Sequence, residues 1–176
     1  GTEGISGKKI IADGGEVCVS NGAVSILCWM ENTSEENQIL YSGDDFVSEN
    51  EVLVDFSSNG NHICSIVSNP NGSIVKCMGD NEDLQLGNYE IGNIEDIDNW
   101  THISVGEIHS CGIKNSTLVY CWGNGIYGQL GLDKSIISKY PILVKESNRE
   151  TEVASFLHAD LKESLYLRIK RQLTYY

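Results

Sequence analysis

The sequence predicts a mostly β protein built as an array of about three like units and ending in an α-helix. Three observations carry that expectation. Six cysteines fall at Cys18, Cys28, Cys64, Cys77, Cys111 and Cys121, and the first of each pair recurs after 46 and then 47 residues. Short apolar runs with partial alternation flank these cysteines, separated by turn-forming residues, which is the pattern of strands. From Ser147 onward apolar residues fall instead at three- and four-residue steps, the spacing of a helix face. A period of twenty to fifty residues marks a solenoid, a propeller or a tandem array.

Within the units, 9, 12 and 9 residues separate the cysteines of a pair. Each second cysteine precedes a large apolar residue, Trp29, Met78 or Trp122. The approaches to the first cysteines are Gly15-Glu16, Asn61-His62 and Glu107-Ile108-His109. Runs such as Cys111-Gly112-Ile113 and Leu118-Val119-Tyr120-Cys121-Trp122 then read as two arms of a β-hairpin. Its turns carry Asn21-Gly22, Asn71-Gly72 and Asn115-Ser116, the first two of which tolerate the positive φ of tight turns. Cross-strand neighbours lie close enough for a disulfide, so Cys18 is expected to pair with Cys28, Cys64 with Cys77 and Cys111 with Cys121. Asn21-Gly22 is not midway between its cysteines, which calls for a longer loop or a bulge. Zinc knuckles with two to four residues between cysteines are absent from the sequence. A reduced, buried role for the thiols is the remaining alternative.

Gly-rich loops follow the second and third pairs, Gly79-Asp80-Asn81-Glu82-Asp83-Leu84-Gln85-Leu86-Gly87 and Gly123-Asn124-Gly125-Ile126-Tyr127-Gly128-Gln129-Leu130-Gly131. The third unit, from His109-Ser110-Cys111-Gly112-Ile113 through Val119-Tyr120-Cys121-Trp122-Gly123-Asn124 to Pro141-Ile142-Leu143-Val144, resembles the repeat of the regulator-of-chromosome-condensation family. Asp98-Asn99-Trp100-Thr101-His102-Ile103-Ser104-Val105-Gly106 looks like the strand that opens such a unit. The second unit is similar more loosely, and the first keeps Cys28-Trp29 and Gln38-Ile39 but little of the glycine pattern; the likeness spans roughly residues 8 to 145. It implies a partial β-propeller-like array of about three blades over residues 1–145, with the helix over 146–176. Family members usually close a seven-bladed ring, which about three blades cannot do. A longer parent chain or a partner is then expected to cover the open ends.

Charge narrows the partners. With 12 Lys plus Arg against 25 Asp plus Glu the net charge is −13, which repels phosphate backbones, so no nucleic acid is expected. No apolar run approaches the roughly 20 residues a spanning helix needs, so no transmembrane segment is expected. Paired cysteines suit an oxidising compartment, and sequons at Asn32, Asn71, Asn99 and Asn115 add to an extracellular or secretory-pathway reading as a glycoprotein.

Other motifs yield to plainer readings. Gly123-Asn124-Gly125-Ile126-Tyr127-Gly128 fits a dinucleotide fingerprint, but Gln129-Leu130-Gly131-Leu132 does not open a helix, so a blade turn is expected and no cofactor. His62 and His109 hold the same place in their units, which suggests a repeated structural hydrogen bond rather than catalysis. Asp44-Asp45, Asp80-Asn81-Glu82-Asp83 and Glu95-Asp96-Ile97-Asp98 offer oxygen ligands for calcium but no twelve-residue calcium loop, and read as solvated surface; no metal is expected.

Ser147-Asn148-Arg149-Glu150 fits a capping box. Val153, Phe156, Leu157, Leu161, Leu165, Ile169 and Leu173 then line one helix face, with Lys162, Arg168, Lys170 and Arg171 toward the C-terminal half. That face would pack on the repeats, on a partner protein through Phe156, Leu157, Leu161 and Leu165, or on a membrane surface. The expected function is a secreted, non-catalytic binding or structural module that assembles with other chains or further repeats. The alternatives are a guanine-nucleotide exchange or signalling scaffold, as the family's founding member implies, and a secreted enzyme or enzyme inhibitor.

Overall fold

A computed structural model describes residues 9–13, 15–21, 25–30, 39–42, 47–48, 50–87, 92–132 and 134–144. The proposed helix over 146–176, with Phe156, Leu157, Leu161 and Leu165, lies outside them, as do Asn32 and Asp44-Asp45. Among the described residues twelve strands form three antiparallel sheets of four, each a meander in chain order. Blade 1 holds β1 (Ile10–Asp13), β2 (Glu16–Asn21), β3 (Ser25–Met30) and β4 (Ile39–Ser42). Blade 2 holds β5 (Val52–Ser58), β6 (His62–Asn69), β7 (Gly72–Gly79) and β8 (Gly92–Asp98). Blade 3 holds β9 (Trp100–Val105), β10 (His109–Lys114), β11 (Leu118–Asn124) and β12 (Ile137–Leu143).

Each cysteine pair sits directly opposite across the central hairpin of its blade, Cys18 with Cys28, Cys64 with Cys77 and Cys111 with Cys121. All three are disulfides with Cα atoms 4.1 Å apart. A loop this short limits the entropic gain to about 2–3 kcal/mol apiece. The turns correct one expectation. Asn115 and Ser116, not singled out for it, both take the left-handed conformation, at φ 52° and 61°. In blade 2 the hairpin closes at Asn69 opposite Gly72, so Gly72 belongs to the strand rather than the turn.

Why the strands are not cleanly alternating is visible in β6. Ile63 and Val67 point to blade 1 and pack with Cys18, Ile26, Cys28 and Phe56. Cys64 and Ile66 point the other way and pack with Val75, Cys77 and Leu86 against Trp100, Ile103, Val105 and Trp122 of blade 3. A strand buried on both faces needs apolar residues at odd and even positions alike. Each disulfide therefore lies on the trailing face of its blade, toward the next.

The two Gly-rich loops superimpose in conformation as well as sequence. Gly79 and Gly123 have φ of 114° and 95°, and a Cβ on either would meet a carbonyl oxygen, of Asn61 at 2.6 Å or Ile108 at 2.7 Å. Gly128 has φ 87°, and its equivalent in blade 2 is Leu84, at φ 62°. Leu84→Gly should relieve that left-handed strain and raise the urea midpoint by the equivalent of about 1 kcal/mol. An unchanged or lower midpoint would show that the Leu84 side chain contributes more than its backbone costs.

Candidate interaction surface

The joint between blades 2 and 3 is polar at its rim and apolar within. Gln85, buried in its loop, presents a carbonyl oxygen that accepts from Trp122 Nε1 at 2.9 Å and Ser110 Oγ at 2.9 Å. Ser110 Oγ also lies 2.8 Å from His62 Nε2. Asn124 donates to Asp83 Oδ1 at 2.6 Å, and Ser73 Oγ donates to the Trp100 carbonyl at 2.9 Å. The first strands of consecutive blades run side by side, where Ile103 N donates to Asp55 Oδ2 at 3.0 Å and Val105 N to Ser57 Oγ at 3.1 Å. Asp55 also takes a salt bridge from Lys9 Nζ, which donates to the Phe56 carbonyl at 2.8 Å as well. One buried carboxylate thus ties all three blades together.

The sequence-singled residues find structural places here. His62 meets the hydroxyl of Ser110 in the following blade, and Glu16, two residues before its own first cysteine, accepts from Ser58 of blade 2. His62 and His109 are both buried with Nδ1 unpartnered among the described residues. Burial pushes each imidazole down to about 4, with the His109 charge lowering His62 further. Asp80 and Asp83 are not merely solvated. Asp80 accepts from Glu82 N and Gln85 Nε2, and Asp83 serves the joint, so the carboxylates of this loop order its turns and its neighbour. A Glu16 carboxylate oxygen lies within 4.8 Å of both sulfurs of Cys18 and Cys28, but these are bonded to each other and offer no thiolate to a metal. Asn71, Asn99 and Asn115 are exposed. Among the described residues no helix is long and apolar enough to cross a membrane.

Joints bury the leading face of blades 2 and 3; nothing described covers that of blade 1. Ile10, Val19 and Leu27 lie in one cross-strand row there, and Ala12, Val17 and Trp29 in the next. Ile10 is 69% exposed and Val17 39%, and the other four are exposed or half-buried. Trp29 holds the repeat position of Trp122, which is fully buried. The sequence reading passed over this surface, because Ile10, Ala12 and Trp29 have their equivalents in Ile103, Val105 and Trp122, which are buried in a joint. A second exposed group, Ile126, Tyr127 at 81% and Ile137, crowns the end of blade 3, with Tyr140 on the edge strand β12. Pro141, Lys139 and a register shift blunt that edge against strand addition.

Residues 118–156 match the family model of the regulator of chromosome condensation (RCC1) repeat. No curated protein sequence matches the chain. Among solved structures, the chain is similar to Prp20p from Saccharomyces cerevisiae, studied with its binding to Gsp1p and histones, at TM-score 0.66 and 12% identity over 96% of the chain and 47% of that protein. It is also similar to yeast RCC1 (Prp20) bound by Kap60, at TM-score 0.61 and 12% identity over 96% of the chain and 45% of that protein. Human WBSCR16 gives TM-score 0.58 and 13% identity over 78% of the chain and 37% of that protein. The chain spans less than half the length of each.

Proposed function

We propose that this chain, an array of RCC1-type propeller blades, is a secreted, non-catalytic binding module that assembles with further blades through the leading face of blade 1. The observation that carries the reading is the uncovered apolar sheet face of Ile10 and Val17, which are exposed, with Val19, Leu27 and Trp29, which are half-buried. The matching positions of the later blades are buried in joints. The natural complement is a trailing blade face, with its disulfide and buried aliphatics, supplied by more repeats of a parent protein or by another chain through a head-to-tail contact. The yeast proteins of this fold are described with protein partners, in keeping with such a role. Three disulfides and three exposed sequon asparagines support passage through the secretory route.

The test uses native material from its source. Val17→Asp and Trp29→Asp place charge on the leading face without entering a described joint. Both are expected to abolish assembly measured by sedimentation while leaving the thermal midpoint of the chain nearly unchanged. Glycosidase treatment is expected to lower the mass through a glycan on Asn115, Asn71 or Asn99. Assembly unaffected by either charge would overturn the surface, and six free thiols in the native protein would overturn the secretory setting.

A further inference from the structure

Asn-Gly dipeptides begin at Asn21, Asn59, Asn71 and Asn124. Glycine in second place matters because it has no Cβ, so its backbone nitrogen is unscreened and the chain around it pliable. Such a nitrogen can attack the side-chain amide carbon of the asparagine before it. The fold treats the dipeptides differently. Asn59 is 8% exposed and donates from Nδ2 to the Gly106 carbonyl of blade 3, while its Oδ1 accepts from Asn61 N at 3.0 Å and His62 N at 3.2 Å. Asn124 is 6% exposed, donates to Asp83 of blade 2 and accepts from Ile126 N at 3.0 Å. The nitrogen that would attack it, Gly125 N, is held by the Ile136 carbonyl at 2.8 Å, and a Cβ on Gly125 would meet that oxygen at 2.6 Å. Gly22, after Asn21, lies outside the described residues.

Asn71 is the exception. It is exposed at the tip of the β6–β7 hairpin, and its carboxamide has no partner among the described residues. Asn69 Oδ1 accepts the Asn71 N–H at 2.8 Å, which fixes the backbone at the tip and leaves the Asn71 side chain to swing. Gly72 makes the last pair of the hairpin, with Asn69, the rung that frays first. We propose that Asn71, wherever it carries no glycan, is a site of spontaneous deamidation, from which burial and hydrogen bonding protect Asn59 and Asn124. Gly72 N bonds to Asn71 Cγ and gives up its proton as the Cγ–Nδ2 bond breaks and ammonia leaves, closing a succinimide ring. Water then adds at either ring carbonyl and opens it to aspartate, or to isoaspartate, in which the main chain runs through the former side-chain carbon. Either product places a new negative charge at the hairpin tip and ends the sequon Asn71-Gly72-Ser73. A glycan is attached through the same Nδ2 that leaves as ammonia, so the two modifications exclude each other. The site stands apart from the leading face of blade 1 and does not depend on its partner.

The test uses the full chain made in an oxidising host without N-glycosylation and kept folded at neutral pH and body temperature. Samples are digested at intervals, and the peptides are resolved by mass and by enzymatic methylation of isoaspartate. Asn71 should convert about tenfold faster than Asn59 and Asn124, or more, because those two must first open the joint between blades 2 and 3. In urea, where the fold no longer distinguishes them, all three should convert at similar rates. Asn59 or Asn124 keeping pace with Asn71 in the folded chain overturns the inference. A lead for Asn71 that persists undiminished in urea also overturns it, since the difference would then come from the flanking residues and not from the fold.

Discussion

Trp122→Ala should lower the unfolding free energy by about 3–5 kcal/mol, the loss expected when a fully buried indole is emptied from a close-packed joint. The ring has no exposed surface, meets Trp100 edge to face at 6.2 Å between centroids, and donates from Nε1 to the Gln85 carbonyl at 2.9 Å. Burial and the hydrogen bond can be separated. Trp122→Phe keeps most of the apolar volume and loses the donor, and should cost about 1–2 kcal/mol beyond the missing ring area, because Gln85 keeps its bond from Ser110. Trp29→Ala, at the same repeat position but only partly buried, should cost well under half as much. Urea unfolding of the three variants measures all of this, and equal losses at Trp29 and Trp122 would refute the assignment of one face as open and the other as sealed.

Acidification should destabilise the array between about pH 6.5 and pH 4. An unfolded histidine titrates near 6.5, while His62 and His109 are held at about 4 in the fold. Because the folded values are depressed, the unfolded chain binds protons that the folded chain refuses as the pH falls. Stability from this source is fully present above about 6.5 and is lost progressively down to about 4. Each imidazole accounts for a loss on the order of 3 kcal/mol, which for two sites is a large part of a domain's stability. The measurement is the urea midpoint at pH 7 and at pH 4.5, in the parent and in a His62→Gln, His109→Gln variant. The parent midpoint should fall steeply and the variant's far less; parallel falls would place the acid sensitivity elsewhere.

Strands, hairpins and cystine pairing were legible in the sequence because each depends on neighbours close along the chain. The pairing of Cys64 with Cys77 needs only a period of two and a turn at Pro70-Asn71. The joints were not legible. Asp55 reads as one acid among 25, and only the placement of Lys9 and the Ile103 amide beside it reveals a tie between blades. The turn at Asn115-Ser116 was missed as a positive-φ turn because serine gives little warning of that conformation. The leading face of blade 1 was hidden for a different reason. Apolar residues on both sides of a blade show that both are meant to be covered, but not which cover is in place.

Every cystine closes within its own hairpin, 10, 13 or 10 residues apart in sequence, and none crosses a joint. During synthesis each sulfur can therefore meet its partner as soon as one hairpin has emerged, before the next unit exists. Oxidation needs no long search and gives little opportunity for scrambling between units. The same arrangement leaves the joints without covalent ties. Under tension along the chain, blades should peel from one another as stapled units, and the hairpins should survive the separation with their bridges intact.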